Sequence, residues 1–401
     1  MNRRDLLKTL GALGALGLTP GFQLGFAGRG REERVLVVVF MRGGADALAL
    51  AAPHAEGGFY YDRRPTVAVP EPGRPGGGLD LDGRFTFHPA LAPLFELYRE
   101  GRLAVVHAAG LSVRTRSHFD AQQYVESGTP DDKSSRTGWL GRHLALTAGA
   151  DASPFRGVGM GDVVPASLLG PVQPLALRAL EAFRLHGREG EWPAMQRSLR
   201  ALYASDPLAP VARNVWEALA TLEGLAERPA PAYPETPFGQ RLATVARLIR
   251  AGVGLEVAAL DADGWDTHED QGTLEGAFAG LAEDWARSLA AFWNDLGPHG
   301  RRVTVVALSE FGRRVEENAS GGTDHGHGGA MWLLGAGVRG GRVYGRWPGL
   351  AVAALDDGDL AVTTDVRDVL AEVVVRGLGN PRVDEVFPGY RPRFLGLMEE
   401  A

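Results

Sequence analysis

Val35-Leu36-Val37-Val38-Val39-Phe40, running into Met41-Arg42-Gly43-Gly44-Ala45-Asp46, decides the fold class. The run is apolar, rich in β-branched residues and free of polar alternation. That is the pattern of a strand covered on both faces, as in a parallel sheet packed between helices. Similar runs recur at 103–107, 255–260, 303–308 and, shorter, at 330–334. Helical patterns fall between them: one around 90–100, one from Ser117 as N-cap to about Val125, and a late one over 365–375. The clearest is the stripe Leu274, Phe278, Leu281, Trp285, Leu289, Phe292 and Leu296, which recurs at helical spacing and reads as core packing. Strand–helix alternation predicts an α/β fold with a mostly parallel sheet sandwiched by helices. The polar clusters Asp46, Ser112/Ser117, Asp266/His268 and Glu310 follow the carboxyl ends of these strands, the edge where such sheets bind ligands.

Two stretches break the alternation. Residues 55–90 are rich in Gly and Pro and read as turns or a hairpin tip. Residues 150–236 hold short Ala/Leu helices punctuated by Pro and read as a helical insertion or cap within an α/β domain spanning 35–395. The N-terminus reads as an address. Arg3-Arg4 precede a short Gly-rich apolar stretch, and small residues at Gly25 and Ala27 suit cleavage after Ala27. Residues 1–27 are thus expected to be a twin-arginine signal that hands a folded chain to the twin-arginine translocation machinery. The mature protein would be periplasmic or extracellular, with no transmembrane anchor, because the apolar stretch is far shorter than the ~20 residues of a membrane span.

Composition narrows the chemistry. The chain has no cysteine, so thiolate ligands, disulfides and a Cys nucleophile are excluded. Removing residues 1–27 takes three basic and one acidic residue and moves the formal charge from −7 to about −9, which argues against a sequence-independent grip on nucleic acid or anionic lipid.

The densest chemistry lies in Gly322-Thr323-Asp324-His325-Gly326-His327-Gly328-Gly329 and in Gly264-Trp265-Asp266-Thr267-His268. Neutral His with ionised Asp is the donor set for zinc or a similar divalent metal, with manganese, iron or a mixed site open on ligand type. Asp324, His325, His327, Asp266 and His268 are the candidate ligands, although Asp266 or Thr267 also suits a helix cap. Asp46 is either a further ligand or an ordinary Asx turn. Glu310 reads as a ligand, a base or the ion-pair partner of Arg313. Ser117 sits where a helix cap and a nucleophile look alike. His118 beside it reads as a ligand, a general acid or a packed residue. Arg42 and Arg116 are candidate clamps for an anionic substrate.

Several of these segments occur together and in order: Arg42-Gly43-Gly44-Ala45-Asp46, Arg116-Ser117-His118-Phe119-Asp120, Gly138-Trp139-Leu140-Gly141, Gly264-Trp265-Asp266-Thr267-His268, Ser309-Glu310-Phe311-Gly312-Arg313 and Asp324-His325-Gly326-His327. With the twin-arginine leader they make the chain resemble the exported bacterial family called domain of unknown function 1501, itself similar at a distance to the alkaline phosphatase and sulfatase superfamily. The resemblance implies an alkaline-phosphatase-like α/β sandwich with one or two metals. It also implies Asp46 as a metal ligand after the first strand, Ser117 as nucleophile, and metal binding by Asp266, His268, Asp324 and His325. His327 would replace a later lone His of the alkaline phosphatases. The expected function is an exported metal-dependent hydrolase of phosphate or sulfate esters, acting on a small anionic ester or a glycan. A non-catalytic cell-envelope or polysaccharide-associated binding protein that keeps the site is the second expectation, and a metal-dependent oxidoreductase the third.

Overall fold

In a computed structural model of the chain, residues 34–149, 153–180, 191–203, 209–223 and 232–400 are described. The expected signal over residues 1–27 lies outside them. A nine-stranded sheet organises the molecule. Its strands are β1 (Val35–Met41), β2 (Leu103–Gly110), β3 (Gly157–Met160), β4 (Leu175–Ala176), β5 (Val257–Ala262), β6 (Val303–Leu308), β7 (Gly329–Gly335), β8 (Arg342–Tyr344) and β9 (Thr364–Asp365). The order across the sheet is β8-β2-β7-β6-β1-β5-β3-β4, with β9 also paired to β2. Only β7 runs antiparallel to its neighbours, so the sheet is mostly parallel, as the uninterrupted apolar runs require.

Strand β1 lies at the centre, and all its residues are buried. Its alternate side chains feed two cores. Val35, Val37 and Val39 pack with α1 (Ala92–Arg99), α4 (Pro237–Ala251) and α5 (Ala277–Leu296). Leu36, Val38 and Phe40 pack with α2 (His118–Ser127), α3 (Trp139–Leu146) and α6 (Val366–Glu372) on the other face. The stripe on α5 is core as its spacing requires, except that Leu274 stands before the helix and is exposed. Helix α4 shows why its ends fall where they do: the Thr236 side chain accepts the Gly239 N–H, Pro237 opens the first turn, and Gly252 closes it in the left-handed region.

The stretch 150–236 departs from the helical reading in its first part. It holds helices at Trp192–Tyr203 and Ala209–Glu223, but it also supplies β3 and β4 at the edge of the main sheet. Gly157 and Gly159 remove the side chains that would have marked β3 as a strand. No helix among the described residues is long and apolar enough to cross a membrane.

Candidate metal centre at the sheet rim

The loops after β1, β2, β5 and β6, together with the hairpin that leads into β7 (Arg313–Glu317 paired with Thr323–His325), meet at one rim of the sheet. The backbones approach very closely there. Gly43 has φ +120°, and a Cβ on it would lie 2.8 Å from the carbonyl carbon of Trp265, so this position accepts glycine alone. Arg313 stitches the loops together. Its fully buried guanidinium donates to the carbonyls of Gly44 (2.6 Å), Trp265 (3.0 Å), Thr323 (2.6 Å) and Gly43, and to Asp266 Oδ1 (2.6 Å).

Asp266 stands at the middle of a ring of imidazoles. His325 Nε2 lies 3.1 Å and His268 Nε2 3.0 Å from Asp266 Oδ1, while His118 Nε2 lies 3.4 Å from Oδ2. The two facing nitrogens of His268 and His325 are 2.9 Å apart. The other nitrogen of each ring is tied down outside this centre. His325 Nδ1 contacts the Arg116 carbonyl (2.8 Å), His268 Nδ1 contacts Asp324 (3.2 Å), and His118 Nδ1 contacts Glu310 (2.8 Å). A carbonyl or an ionised carboxylate only accepts, so each neutral ring carries its proton on Nδ1 and turns an Nε2 lone pair inward.

Three lone pairs and one carboxylate then face each other with no proton between them. That is unfavourable unless a cation sits among them, and outer carboxylate or carbonyl partners on the far nitrogen are what metal-ligating histidines use. The buried His118 Nε2 has no hydrogen-bond partner among the described residues. Its donor atom, with those of Asp266 and His325, lies within a 4.8 Å cluster that could hold a metal ion, and His268 Nε2 stands at the edge of that cluster beside Asp266 and His325. Donors at ~2.0–2.2 Å from one ion would stand roughly 3.4 Å apart, close to the 3.1 Å and 3.4 Å between Asp266 and the Nε2 atoms of His325 and His118. The residues present therefore fit a divalent metal through His118, Asp266 and His325, with His268 adjacent as a further donor.

Charge at the centre agrees. Burial works to raise the Asp266 carboxyl, but the hydrogen bond from Arg313 and its nearby cationic charge override it and hold it at about 2. The Asn318 side-chain amide, at 3.0 Å, and His268 hold Asp324 below its ordinary range against a smaller effect of burial. Burial would raise Glu310, yet bonds from Gln122, His118 and Ser309 keep it low. His325 is pushed down, chiefly by burial. A sign follows for stability. The unfolded Asp titrates near ~3.9, so the unfolded chain takes up the proton first and stability falls as pH drops from about 4 towards 2. Acid titrations of metal-free protein by circular dichroism should show this loss flattened in Asp266→Asn, and an unchanged acid limb would contradict it.

Several expected roles are corrected. Asp46 is fully buried and its oxygens are taken by Arg64 Nη1 (2.6 Å), Gln271 Nε2 (2.9 Å) and the Leu48 N–H (3.2 Å), so it faces a guanidinium instead of the centre. Through Gln271, whose Oε1 accepts from Thr267 and Thr323 (2.9 Å each), Asp46 braces the two ligand loops from below. His327 is turned away, bonded to Asp356 (3.0 Å) and the Leu111 carbonyl (3.0 Å). Asp324 orients His268 from outside the donor set. Glu310 pairs with His118, not Arg313, and also accepts the N–H groups of Gly43 and Gly44 (3.0 and 3.1 Å), so it positions His118. Arg42 is engaged with Asp261 (2.9 Å) and Glu126 (3.2 Å), and Arg116 with Asp359 (2.8 Å), which leaves neither as an unpaired anion clamp. Ser117 caps α2 through a long contact from the Asp120 N–H (3.4 Å).

Mostly parallel strands, helices on both faces and a His/Asp centre at the carboxyl rim define an α/β protein with a metal-competent site. The chain belongs to the family described as "Protein of unknown function (DUF1501)", whose model matches residues 107–381. Among curated proteins none matches the sequence. Solved structures with a similar arrangement include the PsFucS1 sulfatase from Pseudoalteromonas sp., at 10% identity and TM-score 0.41 over 92% of this chain and 72% of that one. They also include the C-terminal periplasmic domain of EcEptC from Escherichia coli, at 9% identity and TM-score 0.40 over 91% and 89%. A third is a protein in the alkaline phosphatase superfamily from Vibrio parahaemolyticus, at 12% identity and TM-score 0.35 over 95% and 79%.

Proposed function

We propose that the protein is an exported, zinc-dependent hydrolase of phosphate or sulfate esters. The observation that carries the metal dependence is the convergence of the His118, His268 and His325 Nε2 atoms on Asp266, each ring locked by an outer partner. Nitrogen-rich donors with one carboxylate favour zinc over magnesium or calcium. A metal bound there supplies polarisation of an ester oxygen and charge stabilisation in the transition state. The chain's own part is to hold that centre rigid through Arg313 and to leave it reachable. Asp266 and His268 keep 46% and 38% of their side-chain surface in solvent, enough for a substrate to approach.

Ser117, one residue from His118 at the N-terminus of α2, is the proposed nucleophile. Its hydroxyl is only weakly engaged as a cap, and the helix N-terminus favours an anionic group nearby. The Ser117 oxygen bonds to phosphorus or sulfur as the bond to the ester oxygen breaks, the serine proton passes to that oxygen so that it leaves as an alcohol, and water then frees the serine. Assays of phosphomonoesters, phosphodiesters and sulfate esters with zinc, manganese and iron test the activity. Turnover of one ester class is expected, and inactivity throughout with a fully loaded site would refute the hydrolase. With an active substrate in hand, Ser117→Ala should lower kcat by about 100-fold or more while costing only about 0.5–2 kcal/mol as a lost cap. Near-normal turnover in that variant would exclude the covalent route.

A further inference from the structure

One ring packed against the metal centre carries no polar atom. Phe311 stands between Glu310, the partner of His118, and Arg313, the clamp on Asp266. It is buried, in the same core as Phe40 and Leu308. The phenyl centroid lies 4.9 Å from that of His118 and 4.7 Å from that of His325, and the two imidazoles are 4.3 Å apart. The planes are ordered as well. The imidazoles stand at 78° to each other, and the phenyl is tilted 40° from His118 and 38° from His325, so it bisects the angle between them. The backbone gives way to seat the ring: at Gly44, with φ +72°, a Cβ would lie 2.5 Å from Phe311 Cε2 and 2.7 Å from Cδ2.

His118 and His325 are the two histidines whose donor atoms cluster with Asp266. Each is held at Nδ1, by Glu310 for His118 and by the Arg116 carbonyl for His325. One hydrogen bond fixes one atom of a ring and leaves its plane free to swing. The phenyl, in contact with both rings, removes that freedom and sets the directions of the two Nε2 lone pairs together. It also closes its side of the centre with carbon, against which a metal-bound water finds no hydrogen bond. Zinc accepts a small shell of nitrogen and oxygen ligands, whereas manganese suits an octahedral shell of oxygens, water among them.

We infer that Phe311 is a positioning residue that makes the centre selective for zinc over manganese, by fixing the His118 and His325 planes and keeping water from one side. The inference rests on the metal reading of the centre. The test is titration calorimetry of the full chain, stripped with a chelator, with zinc and with manganese, on the wild type, Phe311→Leu and Phe387→Leu. Phe387 lies in the same core but stacks on Trp139, so its variant controls for general loosening. Phe311→Leu should weaken zinc by about tenfold, the low end for loss of an outer partner, and leave manganese nearly unchanged. Cobalt in place of zinc should absorb less visible light in that variant, because its bands weaken as water fills out the shell. Phe387→Leu should leave both readouts at wild-type values. Phe311→Met, closer to the phenyl in length, should show the same losses and serves if the leucine variant does not fold. A zinc-over-manganese ratio unchanged in the Phe311 variant, or lowered equally in Phe387→Leu, would overturn the assignment with the metal reading intact. A wild type that binds neither zinc nor cobalt would overturn both.

Discussion

Arg313→Met will give the least stable single variant at this rim, losing more than about 4 kcal/mol and, with it, metal binding. The guanidinium is wholly buried and satisfies four carbonyls drawn from three loops, those of Gly43, Gly44, Trp265 and Thr323, besides Asp266. Methionine fills much of the volume but donates nothing, so buried carbonyls are stranded at about 1–3 kcal/mol each. Lysine restores the charge, yet its compact ammonium cannot reach acceptors spread around a planar fork, so Arg313→Lys should recover only part of the loss. Urea denaturation measures this. A Met variant within about 1 kcal/mol of the wild type would show that the loops hold their positions without the clamp.

Asp266→Asn will strip the metal site and also weaken the fold. Among the described residues the carboxylate is the one anionic partner of buried Arg313, and it is the point on which three imidazoles converge. Truncating one member of a buried ion pair costs about 3–5 kcal/mol, and the lower end applies because Asp266 keeps contact with water. The loss of the ligand charge should reduce metal affinity by about 100-fold or more, beyond the 10–100-fold seen when only an outer partner is removed. Asp324→Asn, which alters such an outer partner of His268, should fall within that smaller range. Titration calorimetry of the two variants orders them, and equal affinities would mean that Asp266 is not a ligand.

Much of the architecture was legible in the sequence because burial on both faces leaves a signature. The run 35–40 reads as a strand covered on both faces, and its neighbours at 257–262 and 303–308 carry a similar pattern. Strands β3 and β4 were not legible: glycines and a two-residue length leave no periodicity. At the centre, Asp266, His268, Asp324 and His325 stood out because His and Asp cluster among glycines. Direction did not. His325 and His327 differ by two residues, but Gly326 packs against the Arg313 backbone, and the chain after it turns His327 towards Asp356. Asp46 follows the central strand just as a ligand would, and only the arrival of Arg64 within hydrogen-bond reach shows that its charge is already met. His118 fits three roles because nothing in the sequence pairs it with Glu310, far along the chain. Arg313 was hardest to read, since most of its partners are backbone carbonyls that any residue provides.

The most direct measurement is the metal content of folded protein, stripped with a chelator, reloaded with zinc and analysed by mass spectrometry beside the double variant His118→Ala/His325→Ala. Both side chains are partly exposed and lie outside the two cores, so the variant should fold. One ion per wild-type chain is expected, and none in the variant. A wild type without stoichiometric metal, or a variant that keeps its ion, would contradict it.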